Sequence, residues 1–433
     1  MTRPTRRSFL ALIGAAAAGA SPAAQAGQDR EGITRWPSTF PALGQIVNGQ
    51  ELVYLDSAAT TLRPQSVIDA LVQYYSTDNA NPVRVHALAM KAGERLDRAR
   101  QAAARFVSAS DAAEIIFVRG TTEGVNLLAS TWGAANLGRG DEVVLPVSEH
   151  NSNLMPWARA AERAGAIVRV AAVDDQGRLT ADAVSTAMSR RTKLVAFSHV
   201  SNVLGFINDA RAITAAAKAA GATVAIDGAQ GAPHVRVDVR EIGCDFYVFS
   251  GHKMLGPMGT GVVWGRRELL DQMPPYHVGS NMAHNVTIAH AEYEHGAAKY
   301  QAGTPDVAGP VGLAAAIEFF EGAGHAAVEA HDQAIVRHGL ARLTAIPNLR
   351  LIGPASPERR VPVFTFTVAG LAPTAVAAEL DRRGIAVRAG DMAALPLLQR
   401  FGTTEAVRAS AYVYSTMRDI DRLADALHQI SRR

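Results

Sequence analysis

Thr223-Val224-Ala225-Ile226-Asp227-Gly228-Ala229-Gln230 and, a short interval later, Asp245-Phe246-Tyr247-Val248-Phe249-Ser250-Gly251-His252-Lys253 decide the reading of this chain. Each is a short apolar run closed by polar residues, the first ending near a carboxylate and the second on an amine. Near-continuous apolar runs read as strands buried on both faces. Working outward, further strands are expected at 114–118, 142–147, 167–172, 194–199, 223–226, 244–249 and 261–264, with helical patterns at 121–131, 154–164 and 210–220. Strands interleaved with helices predict an α/β fold with a mostly parallel sheet covered on both sides. In such sheets ligands gather at the carboxyl ends of the strands.

A second, smaller α+β region is expected from residue 312 to 433: a long helix at 312–343, strands at 361–368 and 385–388, and helices at 373–383 and 418–430. The large region then covers 49–311, and an arm at 27–48 joins the small one. Residues 1–26 read as an address. Thr5-Arg6-Arg7-Ser8-Phe9-Leu10 has the twin-arginine form, an apolar run extends from Leu10 to Ala20, and Ala24-Gln25-Ala26 is a small-x-small cleavage site. That run is shorter than the roughly 20 residues a membrane span needs. The expectation is export by the twin-arginine machinery to the periplasm, with no stable membrane span after cleavage.

The chain has 43 Lys+Arg against 40 Asp+Glu, and Arg3, Arg6 and Arg7 lie in the leader, so the remainder is formally neutral. A nucleic-acid footprint is not supported. Cys244 is the one cysteine, which excludes an intrachain disulfide.

Several motifs meet at the predicted strand ends. Asp227 and Lys253 together supply what pyridoxal phosphate (PLP) needs: a carboxylate to hold the pyridine nitrogen protonated and an amine for a Schiff base at the aldehyde carbon. Taken singly, Asp227 is also a turn cap and Lys253 a surface cation. Thr121 and Thr122 open a helix after Gly120, where free N–H groups and hydroxyls seat a phosphate, although the same pair is a good helix cap. Ser250 and His252 are within reach of that phosphate. His150, in Glu149-His150-Asn151, follows another strand and is placed to stack on the ring and exchange protons. Gln230 and Asn202 are candidates for the ring oxygen, with Asn202 also a candidate for a substrate carboxylate. Arg408 offers a bidentate fork for the α-carboxylate of an amino acid.

These blocks, with Tyr54-Leu55-Asp56-Ser57-Ala58-Ala59, His199-Val200-Ser201-Asn202-Val203-Leu204-Gly205 and Ala302-Gly303-Thr304-Pro305, resemble the class V aminotransferase superfamily, specifically the group II cysteine desulfurases and selenocysteine lyases. The resemblance runs from about Val53 to Leu427. It implies the PLP-dependent transferase fold of type I and a homodimer with shared active sites. Lys253 is then the Schiff-base lysine, Asp227 the pyridinium partner and His150 the stacking imidazole. Thr122, Ser250 and His252 hold the phosphate, Thr304 reaches the phosphate of the other subunit, and Arg408 binds substrate. A basic segment at Asn81-Pro82-Val83-Arg84-Val85-His86 is out of register at Arg84, while His86 keeps the better match on the substrate side.

The resemblance breaks in Arg388-Ala389-Gly390-Asp391-Met392-Ala393-Ala394. The family's desulfurases read two histidines and a cysteine where this chain has Asp391, Met392 and Ala393. A thiolate attacks the substrate sulfur, and a methyl group does not. Cys244 opens its strand, on the order of 15–20 Å behind the active edge. In leader, fold and missing thiol the chain is similar to exported PLP enzymes that tailor pyoverdine. The expectation is an exported PLP-dependent enzyme acting on a small-molecule amino substrate, an amino acid or amino-acid-like side chain, without a metal. The alternatives are a C–S or C–Se lyase and a non-catalytic PLP-binding protein.

Overall fold

The computed structural model describes residues 36–83 and 85–432. The expected twin-arginine leader, the start of the expected arm and Arg84 lie outside the described residues. The larger sheet has seven strands in the spatial order Ile115–Val118, Gly261–Gly265, Phe246–Ser250, Thr223–Asp227, Thr192–Ser198, Glu142–Pro146, Ile167–Ala171. Gly261–Gly265 runs antiparallel to both its neighbours, and the other pairings are parallel. The apolar runs pack on both faces: every residue of Glu142–Pro146, Phe246–Ser250 and Gly261–Gly265 is buried. One consequence positions the site. Val118, Pro146, Ser198, Asp227 and Ser250 all end their strands at the same edge.

Helix Thr121–Leu128 lies against this sheet at Gly124, where an added Cβ would sit 2.5 Å from Val248 and 2.7 Å from Val263. A glycine there lets the helix approach closely enough to aim its first turn along the strand ends.

The second sheet is antiparallel, in the order Leu349–Leu351, Val363–Val368, Ala406–Ser410, Arg388–Gly390. Its core joins Phe364, Phe366 and Val407 to Leu423 and Leu427 of the final helix, Met417–Ile430. Val53–Tyr54 pairs in parallel with Ile385–Ala386, so the chain's early segment is tied to this second core. The expected strand at 385–388 is therefore two short pieces with different partners. The single helix expected at 312–343 is likewise two, Ala308–Ala323 and His325–Thr344, bent by 79° at Gly324 (φ 81°). Leu313, Ala316, Ile317 and Phe320 of the first helix share a hydrophobic cluster with Phe249 and Val262 of the large sheet. Among the described residues no single helix is long and apolar enough to cross a membrane.

Candidate active site

The residues following the aligned strand ends line a cavity of about 470 Å³. Asp227 lies at its floor. Its Oδ1 accepts a hydrogen bond from the Ala229 amide at 2.9 Å, and burial raises its carboxyl above the usual carboxylate range. The tight turn after it is dictated from below: a Cβ on Gly228 would lie 2.1 Å from the Tyr247 ring.

Lys253 closes the single turn Gly251–Lys253 after its strand. The turn is held by the His252 carbonyl, which accepts from the Thr61 amide at 2.9 Å and from the Thr60 and Thr61 hydroxyls at 3.1 Å. Burial lowers the Lys253 ammonium to about 8; Asp227 opposes the shift, and Arg408 and Arg388 reinforce it. A usable fraction of free amine is therefore present near neutral pH.

At one end of the cavity the Thr121 amide and hydroxyl both lie 2.8 Å from Ser250 Oγ, and Thr122 Oγ1 lies 2.8 Å from Ser152 Oγ. Burial pushes the neighbouring His252 down to about 4, so it stands neutral. His150 caps helix Asn151–Ala164, its Nδ1 accepting from the Ser152 amide at 3.0 Å, which assigns the proton to Nε2. Burial, with the charges of Lys253 and Arg408, lowers His150 to about 4. Beneath it Glu149 is fully enclosed and accepts from Asn153 Nδ2 at 2.6 Å, Ser198 N at 2.9 Å and Ser198 Oγ at 2.7 Å. Burial outweighs those three bonds and raises it to about 7.

The opposite side is built differently. Arg388 and Arg408 are directly cross-strand neighbours, and both line the cavity. Like charges so placed repel. Asp56 stands between them, bound by Arg388 through Nε at 3.2 Å and Nη2 at 2.9 Å and by Arg408 Nη2 at 3.5 Å. One carboxylate leaves one positive charge over. Arg408 is buried, donates from Nη1 to the Asn202 carbonyl at 3.0 Å, and keeps a buried Nε without a partner.

The connecting loop carries left-handed backbone at two non-glycine residues, Met392 (φ 54°) and Ala393 (φ 52°). It is pinned across the cavity by Asn202 Nδ2 to the Met392 carbonyl and by the Asn151 amide to the Ala393 carbonyl, both 2.8 Å.

Of the residues singled out in the sequence, Thr121, Thr122, His150, Asn202, Asp227, Gln230, Ser250, His252, Lys253 and Arg408 line this one cavity. Gln230 and Asn202 each also donate once to the backbone: Gln230 Nε2 to the Ala58 carbonyl at 2.6 Å and Asn202 Nδ2 to the Met392 carbonyl. Thr304 lines a separate cavity with His277, Gln301 and Asp306. His86 caps helix Ala87–Phe106, accepting from the Ala89 amide at 3.2 Å. Cys244 is buried, does not line the cavity, and has its thiol pKa pushed up by burial. Five contributors escaped sequence reasoning: Glu149, Ser152, Ser198, Asp56 and Arg388. For Asp56 and Arg388 the available signal was a charged residue within each apolar block.

The residues present fit PLP. Hydroxyl and amide donors cluster at a helix start, a buried carboxylate and a lysine of lowered pKa line the same cavity, and Arg408, with a buried Nε lacking a partner, lines it too. Sheet and cavity together define a PLP-dependent enzyme of fold type I. Residues 53–423 match the family described as aminotransferase class-V. A cysteine desulfurase of Synechococcus elongatus is 42% identical over 98% of this chain and 67% of its own length. A probable cysteine desulfurase of Halalkalibacterium halodurans is 43% identical over 90% of this chain and 96% of its own. Among solved structures, the Escherichia coli cysteine desulfurase CsdA superposes with a TM-score of 0.84 at 34% identity, covering 92% of this chain and 98% of that one. The chain belongs to the class V aminotransferase family, whose members depend on PLP.

Proposed function

We propose that this chain is an exported PLP-dependent enzyme acting on an amino acid or amino-acid-like side chain, and that it does not use a thiol nucleophile. The observation that carries the reading is the pairing of a complete cofactor wall with a substrate side whose lining holds Ala393 and no cysteine. Pyridoxal phosphate, when bound, supplies an aldehyde that condenses with amines and a ring that draws electrons from the substrate's α-carbon.

The chain's own residues have distinct tasks. Asp227 would hold the cofactor's ring nitrogen protonated. Thr121, Thr122, Ser250 and His252 hold the phosphate, with Thr304 available to the site of a partner subunit in a homodimer. Lys253, as the free amine, would carry the cofactor's aldehyde, and its Nζ would hold or return a proton. His150, with Nδ1 occupied by the Ser152 amide, would stack on the ring and exchange protons with substrate through Nε2. Arg408, held by Asn202 and Asp56, grips the α-carboxylate, which neutralises the spare positive charge. His86 would approach substrate from a neighbouring subunit. The leader and the similarity to pyoverdine-tailoring enzymes support a periplasmic destination.

The test is an absorbance titration of the PLP-loaded protein with a panel of amines, beside sulfide, alanine and selenide release from cysteine, cysteine sulfinate and selenocysteine. The expected result is a spectral response to amino acids without rapid sulfide release from cysteine. A second reading, a C–S or C–Se lyase, is favoured by the names of the relatives. Rapid release of sulfide or selenide would install it. A chromophore that answers no amine would leave a cofactor-binding protein without catalysis.

A further inference from the structure

Asp391 joins strand Arg388–Gly390 to helix Leu395–Arg400 and stands exposed on the cavity wall. Its Oδ1 accepts from the Ala393 amide at 3.0 Å, which fixes the direction of the carboxylate. No ion pair engages it among the described residues. Its negative charge reaches His150, where it opposes loss of the imidazole's proton. The loop behind it is held by the two cross-cavity bonds to Met392 and Ala393 in a backbone conformation that would otherwise relax. Asp391 is thus a preorganised group rather than a wandering side chain.

The other charges around the cavity are committed. Arg388 is engaged by Asp56, Asp227 lies at the floor opposite Lys253, and His150 and His252 stand neutral. Two unmatched charges face the substrate: the surplus positive charge at buried Arg408 and the negative charge of exposed Asp391. Met392 shares this stretch of the lining with the small residues Ala389 and Ala393, whose short side chains leave width for a methylene chain. A molecule matching this pattern carries a carboxylate at one end and a cation at the other.

We infer that the preferred substrate is an α-amino acid, free or within a larger molecule, whose side chain ends in a cation such as an ammonium or guanidinium, selected by Asp391. This rests on the proposed action on amino acids and names the class within it. Asp391 also repels acidic side chains, so the same group selects by exclusion.

The PLP-loaded protein is titrated at low salt with L-lysine, L-ornithine, L-norleucine and L-glutamate, reading the absorbance change. Lysine and ornithine are expected to half-saturate at about fivefold lower concentration than norleucine, the upper end for an exposed ion pair. Asp391→Asn keeps the Oδ1 acceptor for the Ala393 amide and should bring lysine and norleucine within about twofold, while Asp391→Lys should turn the preference toward glutamate. Equal affinities for lysine and norleucine in the parent, or an unchanged preference in Asp391→Asn, overturns the inference. If norleucine and every other amine leave the spectrum still, the amino-acid reading itself falls and takes this one with it.

Discussion

The two walls of the cavity are made by different physics. On the cofactor side, Asp227, Lys253, Thr121 and Ser250 follow directly from strand ends, and their backbones are set by sheet pairing and by glycines packed against side chains. On the substrate side, Asp391, Met392 and Ala393 sit on a loop held in left-handed backbone by side-chain and amide bonds from Asn202 and Asn151. Moving a residue on the first wall disturbs the core of the large sheet. Changing a side chain on the second alters the loop's chemistry while its backbone anchors remain. On the proposed non-thiol reading, that contrast would let the chain keep its cofactor wall while Ala393 stands on the other.

The comparison can be broken in several ways. Lys253→Ala should lower turnover at least about 10³-fold and replace the resting imine absorbance of the loaded protein by that of the free aldehyde, since no other wall group supplies a free amine. Retained turnover would remove the floor from the cofactor wall. Arg408→Lys keeps the charge but loses the fork, and should raise the half-saturating substrate concentration about 10- to 100-fold with little change in bound cofactor. A parallel loss of cofactor would show that the walls are not separable.

The pH dependence sharpens the first wall. Lys253 is lowered to about 8 by burial, so its free-amine fraction grows as pH rises through that value and levels off above it. The rate at which cofactor-free protein takes up PLP should climb about tenfold between pH 7 and 9. A flat profile would mean that Lys253 is not the group being titrated. The smallest effect concerns sulfur: Cys244→Ala should change turnover less than about twofold and cost about 1 kcal/mol of stability. In Ala393→Cys, a thiol reagent should modify the new residue while Cys244 in the same folded protein stays unmodified; equal reactivity would contradict the burial of Cys244.

How legible each wall was follows from the same contrast. The sheet and the residues at its ends were readable because an apolar run and the polar group closing it are adjacent in sequence. The expected strand at 142–147 is Glu142–Pro146 and the expected helix at 210–220 is Ala210–Ala219. Tertiary relations were not readable. Nothing local announces that Asp56 pairs with Arg388 and Arg408, hundreds of residues away, or that Val53–Tyr54 completes a pairing with Ile385–Ala386. The break at Gly324 was hidden for another reason. Glycine in a helical pattern is tolerated often enough that periodicity runs through it. Gln230 and Asn202 line the cavity as the strand-end rule expects, but their bonds to the Ala58 and Met392 carbonyls depend on packing and were not readable.

The sharing of Asp56 by two guanidiniums has a practical corollary. A resting protein with surplus positive charge beside its catalytic amine is a trap for small buffer anions. Acetate, citrate or chloride at high concentration should occupy the Arg408 end and act as competitive inhibitors, so kinetic constants gathered in such buffers will describe a partly plugged enzyme.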